Sequence, residues 1–152
     1  MPAVRVRLAD AAADRETCLR LRWTVFVEEQ GVPPSLEQDE HDAPGAAAVH
    51  ALAEVESPRG QPVPAGTGRF TWAAPGVAKI QRMAVIDDAR GQGVGAQLLR
   101  FLEDEARKRG ARRFTLDAQV AARGFYERAG YRASGGFFHD AGIPHVAMNR
   151  EA

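Results

Sequence analysis

The chain has 152 residues, 45% of them hydrophobic and 26% charged; these ordinary globular values exclude a disordered or fibrous class and predict one domain spanning 1–152. Lys plus Arg and Asp plus Glu each total 20, so no global field favours nucleic acid or an anionic membrane, and neither is expected as a partner. A single cysteine, Cys18, excludes an internal disulfide framework; MPAVRVRLADAAADRE has no leader-like apolar run, no window approaches the roughly 20 apolar residues of a membrane helix, and a soluble cytoplasmic protein is expected.

VRVRLA, at 4–9, alternates apolar and basic residues and predicts a half-buried strand. A helix is predicted over about 14–26, with Leu19, Trp23 and Phe26 on one face and Cys18 as a buried structural thiol. EEQGVPPSLEQDEHDAPGA follows, rich in Pro, Gly and acids, and reads as a long irregular segment of the kind that is functional or disordered. AVHALAEV, at 48–55, is a strand that SPRGQPVPAG breaks; TGRFTWA and AKIQRMAVI supply two more, with a hairpin joining the first pair. Gly95, Leu98, Leu99, Leu102 and Ala106 then share one helical face, Arg107 to Arg109 close its last turn, and Gly110 stops it. RRFTLDA is a strand, VAARGFYERAG a short helix ending at Gly130, and YRASGGFF with PHVAMNR a terminal strand pair. This order describes an α/β domain built on one mixed sheet.

The segment DDARGQGVGAQLL, at 87–99, carries three glycines at every second position and runs into the long helix. It lacks the Lys-Ser or Lys-Thr pair of a nucleoside triphosphate loop. Gly91, Gly93 and Ala96 do satisfy the G-x-G-x-x-A of a dinucleotide loop, with Asp117 about twenty residues on. Against NAD stand the four residues between strand and glycines, the two carboxylates among them, and a chain too short beyond the loop for a doubly wound sheet. R-x-x-G-x-G, at Arg90, Gly93 and Gly95, suits a pyrophosphate held by backbone N–H groups at a helix N-terminus, with Arg90 adding charge. A glycine turn without a ligand is the plain alternative, disfavoured by the entropic cost of three glycines.

Strand KIQRMAV, loop RGQGVG and helix AQLLRFLEDEARKRGA, followed by FYERAGY, resemble the donor-binding segment and later signature of the GCN5-related N-acetyltransferases (GNAT). LRWTVFVEEQGVP, EQDEHD and DAGIPHVAMNR are similar to the ElaA-like branch of that family. The resemblance covers most of the chain and implies the GNAT fold, a mixed α+β sheet of six to seven strands flanked by about four helices. It also implies acetyl-CoA as co-substrate and acetyl transfer to a primary amine of a small molecule or peptide. Met83, Ala84 and Val85 are implied to pair with the pantetheine arm as an added strand. Arg90, Gly91, Gln92, Gly93, Val94 and Gly95 are implied to hold the pyrophosphate, Ala96 to open the helix, and Gln119 to touch the cofactor where relatives often have Asn.

Thioester aminolysis asks for a neutral amine, oxyanion stabilisation and a proton for the leaving thiolate. The resemblance implies that Tyr126 supplies that proton, its other reading being a core aromatic beside Phe125. No base stands on the central strand, where only Gln81 and Arg82 are available. The candidates for base or acceptor binding are Glu37, Asp39, Glu40, His41 and Asp42 in the acidic segment, and His139 and His145 near the other lip. Collectively the acids argue for a cationic acceptor, and water is the alternative proton relay. Neither His41 with His50 nor His139 with His145 has a ligand spacing or a third partner, so no metal is expected. A non-catalytic acyl-CoA sensor and a small NAD-binding protein are the competing functions. The aromatic edge GGFF makes a homodimer conceivable.

Overall fold

Seven strands form one mixed sheet in the computed structural model, which describes residues 3–152; Met1 and Pro2, at the head of the segment read for a leader, lie outside it. The strands are β1 (Val4–Leu8), β2 (Val49–Glu56), β3 (Pro62–Ala74), β4 (Val77–Val85), β5 (Arg113–Gln119), β6 (Arg132–Asp140) and β7 (Ile143–Glu151). They lie in the order β1-β2-β3-β4-β5-β7-β6, antiparallel throughout except for the β4–β5 pair. The helices are α1 (Ala12–Arg22), α2 (Pro34–Glu37), α3 (Val94–Lys108) and α4 (Arg123–Arg128). This is the expected mixed sheet; a doubly wound dinucleotide fold would need a run of parallel strands.

Helix α3 buries Leu98, Leu99, Leu102 and Ala106, the predicted face, and each buried leucine contributes about 1.5–3 kcal/mol. Two glycines of β3 let it lie close. A Cβ on Gly66 would come 2.9 Å from the Ala84 carbonyl and 3.0 Å from Leu98, and one on Gly68 would come 2.5 Å from the Met83 sulfur and 2.9 Å from Leu102.

Three local expectations need correction. SPRGQPVPAG does not end the strand structure, because β3 already begins at Pro62 and pairs Pro62, Val63 and Pro64 with β2. Pairing of β3 with β4 starts only at Gly66, so the prolines occupy a stretch whose far side carries no ladder, the setting that tolerates them. In α1 the buried positions are Cys18, Leu21 and Arg22, with Val25 just beyond, while Trp23 is 41% exposed. That stripe has good helical spacing, but a charged residue sits in it and hides it from a hydrophobic pattern. The Cys18 thiol is buried and points at the Ala51 carbonyl, 3.6 Å away; burial pushes its pKa up, as suits a structural thiol.

Past Arg22 the helix widens into a π-helical segment, Trp23–Glu29, closed by the Gln30 N–H on the Val25 carbonyl at 3.1 Å. The segment expected to be irregular then folds into α2 and a 3₁₀ turn, Glu40–Asp42, whose N-terminal end is capped by a reciprocal Asp39–Asp42 box.

Candidate active site

Strands β4 and β5 pair over only four positions, Val77 with Arg113 through Ile80 with Leu116. Beyond them the strands part. Thr67 faces Ala84 and Arg69 faces Gln81, which leaves Gly68 opposite both Arg82 and Met83. This β-bulge puts Arg82 at φ 55, the left-handed region, at a cost of about 1–2 kcal/mol for an L residue. β5 meanwhile stays paired with β7 to its end, Gln119 with His145. A wedge opens between the strands, and a cavity of about 860 Å³ fills it, within the usual size for a small-molecule site.

Met83, Ala84 and Val85 line one wall of the wedge, their β5-facing edge outside the parallel ladder and open to an added strand. After β4 the chain turns through a 3₁₀ segment, Asp87–Ala89, into the glycines. Gly91 and Gly93 adopt φ 78 and 81, and no atom lies within 4 Å of where a Cβ would stand on either. Gly93 caps α3 with no side-chain hydrogen bond, so the first N–H groups of a four-turn helix face the cavity rim with their partial positive charge. Gly95 serves packing, since a Cβ there would touch the Phe125 ring at 3.4 Å. Val94 is buried in the core beside Gly66. Ala96 lines the cavity, whereas Gln92 turns back to the Asp88 carbonyl at 3.3 Å and does not line it.

Arg90 is engaged by the protein itself. Its two terminal nitrogens each lie 2.7 Å from the Glu29 carboxylate, and its Nε donates to the Val85 carbonyl at 3.0 Å. Next along the chain, Gln30 accepts a hydrogen bond from Gln119 at 2.7 Å. The end of the π segment thus reaches both lips of the wedge. Neither Glu29 nor Gln30 carried a signal in the sequence, because each finds its partner far along the chain.

Tyr126, on α4, lines the cavity and is 8% exposed. Its ring is held edge-on by Phe125 and Tyr131, with centroids 4.9 and 5.9 Å away. Its hydroxyl meets no hydrogen-bond partner among the described residues, and burial pushes its pKa up to about 12. Tyr131 by contrast donates to Glu103 at 2.7 Å, and Glu103 also receives Arg150 at 3.1 Å. Of the two tyrosines, only Tyr126 has a hydroxyl left for chemistry.

The acidic segment does not present the negative face expected of it. Glu37 takes the Nε and Nη2 of Arg22 at 3.1 and 3.0 Å and lies 3.3 Å from Arg82. Asp39 takes both terminal nitrogens of Arg69, at 2.9 and 2.6 Å, and one of Arg82 at 3.3 Å. Asp42 takes Arg22 at 2.6 Å and Arg69 at 3.0 Å. Three carboxylates against three guanidinium groups leave the cluster neutral, so it gives no argument for a cationic acceptor. Burial alone would raise Asp39 and Asp42, but the Arg69 and Arg22 guanidinium groups outweigh it and hold both below the ordinary carboxylate range. Carboxylates so held are weak proton acceptors. Arg22 and Arg69, both buried, are the residues that sequence reasoning missed. The available signal was Arg69 itself, a charge inside the otherwise buried run of β3.

Of the other candidates, Glu40 is exposed and stands 3.6 Å from His41, which is itself partly exposed; neither lines the cavity. His139 is exposed on β6 and does not line it either. His50 lies buried against the His41 carbonyl at 3.3 Å, and burial pushes its pKa down to about 4. His145 does line the cavity and is 9% exposed. Among the described residues no group of three or more His, Cys, Asp or Glu is placed to hold a metal ion.

Residues 36–152 match the acetyltransferase (GNAT) domain family. The chain belongs to that family. This GNAT acetyltransferase is 38% identical over 132 residues to the uncharacterized N-acetyltransferase YjcF of Bacillus subtilis, a match taking in 86% of this chain and 88% of the relative. It is similar to the crystal structure of an acyl-CoA N-acyltransferase from Pseudomonas aeruginosa, with a TM-score of 0.76 and 26% identity over 99% of both chains. Escherichia coli ElaA shares the fold, with a TM-score of 0.79 and 24% identity over 99% of this chain and 100% of that one. The acetyltransferase is therefore an enzyme of acyl transfer, and a donor derived from coenzyme A goes with its family. No helix among the described residues is long and apolar enough to cross a membrane.

Proposed function

We propose that this GNAT enzyme transfers an acetyl group from acetyl-CoA to a primary amine of a small molecule or peptide, by direct attack of the amine on the thioester. One observation carries the reading. The β4–β5 wedge, the left-handed glycine turn at the N-terminus of α3 and the free Tyr126 hydroxyl all face a single cavity.

In this reading the open backbone edge of Met83, Ala84 and Val85 takes the pantetheine arm as an added strand. Gly91 and Gly93 keep side chains out of the way while the α3 N-terminus attracts the pyrophosphate. Gln119, at the end of β5, orients the donor from the opposite lip. A backbone N–H of the bulged segment receives the developing oxyanion, in the manner of other preorganised donors.

Tyr126 stays a neutral acid at any working pH, because burial has pushed it up to about 12. Against a thiol of about 8.5, proton transfer from that phenol is about 5 kcal/mol uphill in the reference state. The departing thiolate emerges in the same buried cavity, and desolvation raises its pKa too, which narrows the gap. The C–N bond forms, the C–S bond breaks, and the sulfur takes the Tyr126 proton. The phenolate is then reprotonated by the proton that the amine nitrogen sheds.

A thiol-release assay with acetyl-CoA against polyamines, amino sugars, aminoglycosides, amino acids and peptides tests the reading. Release above the hydrolysis background with one acceptor class is expected. Saturable donor binding without release for any acceptor would favour an acyl-CoA sensor.

A further inference from the structure

Every carboxylate candidate for the base is tied to a guanidinium or faces bulk solvent, and the central strand carries none. One imidazole remains inside the cavity. His145, on β7, is the register partner of Gln119 at the far lip of the wedge. Its Nδ1 lies 2.7 Å from the Ile143 carbonyl, an acceptor only, so Nδ1 carries the hydrogen and donates it there. In the neutral ring the lone pair then belongs to Nε2. The ring stacks on Phe138 at a centroid distance of 5.8 Å and an angle of 26°, which fixes its plane. Nε2 has no protein partner among the described residues and is not fully buried. Lys79, Asp117, Arg128 and Asp140 line the same cavity, and Lys79 and Asp117 pair with each other at 3.3 Å. Among the described residues none of these four hydrogen-bonds the imidazole.

An imidazole oriented through Nδ1 and free at Nε2 is the arrangement that makes a histidine a proton acceptor. We propose that Nε2 of His145 takes the ammonium proton from the acceptor amine, a role that rests on the acetyltransferase reading above. The acceptor enters as an ammonium and gives that proton through Nε2 to solvent. The neutral nitrogen attacks the thioester carbonyl, and the C–N bond forms as the C–S bond breaks. Tyr126 protonates the departing sulfur, and the second proton of the nitrogen, shed once the C–N bond has formed, reprotonates the phenolate.

The test uses His145→Asn, whose side-chain amide can keep the bond to the Ile143 carbonyl but has no lone pair at the Nε2 position. His145→Gln is the second variant should the first fold poorly. Thiol release from acetyl-CoA is followed at pH 7.5 with two small probes, ethylamine, an ammonium at that pH, and hydroxylamine, which is already neutral. Donor affinity and the unfolding midpoint are measured alongside. The expected result is a fall of about 100-fold or more in ethylamine-dependent release, a fall of less than tenfold with hydroxylamine, and unchanged donor affinity. Equal loss with both probes, or no loss with either, overturns the proposal while leaving the acetyltransferase reading intact. Failure of the unaltered enzyme to bind acetyl-CoA would overturn both.

Discussion

The glycine wall of the cavity and the charged cluster that backs its Glu37 and Arg82 wall are held in shape by different physics. Along 90–96 the backbone does the holding: left-handed glycines, a helix start without a side-chain cap, and side chains kept clear of the space they border. Along 37–42 the backbone is ordinary and the side chains do the holding, through three carboxylates and three arginines drawn from α1, β3 and β4. The first wall leaves the N–H groups at the start of α3 open, where the proposed function seats the donor's pyrophosphate. The second has already spent its charge on itself, and it clamps the bulged Arg82 through the Leu36 and Glu37 carbonyls as well as two carboxylates. A cluster of acids in a sequence is thus no measure of the charge a site displays.

The largest effect that separates the walls is expected in stability. Arg69→Ala leaves Asp39 and Asp42 in a pocket built for a guanidinium, and Arg69 is fully buried. The loss is about 3–5 kcal/mol, read from denaturant unfolding; a loss below about 1 kcal/mol would mean that the cluster is a solvated surface after all. Gly93→Ala acts on the other wall. Its left-handed φ of 81 costs an L residue about 1–2 kcal/mol of stability, and acetyl-CoA affinity falls by more than that strain explains, because the added methyl enters the open rim. Calorimetric titration beside an unfolding curve separates the two effects.

Acid titration sharpens the contrast. Asp39 and Asp42 are held below the ordinary carboxylate range. Their contribution to stability is complete above the unfolded value of about 4 and is lost as pH falls through their depressed folded values. Unfolding midpoints taken from pH 6 to 2 should stay level down to about pH 4 and fall below it, and Asp42→Asn should flatten the fall. The smallest effect is expected at Glu29, whose exposed carboxylate occupies the Arg90 fork. Glu29→Gln frees that fork for a phosphate and tightens coenzyme A binding about two- to fivefold at low salt, with pantetheine, which has no phosphate, unaffected.

The same division decides what could be read from the sequence. Gly91, Gly93 and the α3 stripe are legible because their signals are local: a glycine demanded by a turn, an apolar residue every third or fourth position. The split of β4 from β5 is less so, since Arg82 gives no warning that it will adopt a left-handed bulge. The expected helix face at Leu19, Trp23 and Phe26 misses Arg22 because a buried charge looks like a surface residue until its partners, Glu37 and Asp42, are placed beside it. Glu29 with Arg90 and Gln30 with Gln119 are invisible for the same reason. His145 stands among seven candidates of equal standing in the sequence, and only burial, the Ile143 carbonyl and the engagement of the others set it apart.

The proposed function puts acyl transfer in the cavity that holds the glycine turn. Tyr126→Phe tests it most directly, with acetyl-CoA affinity and thiol release measured on the same preparation. Affinity is expected to match that of the unaltered enzyme while turnover falls by about 10²–10⁴-fold; unchanged turnover would contradict the account.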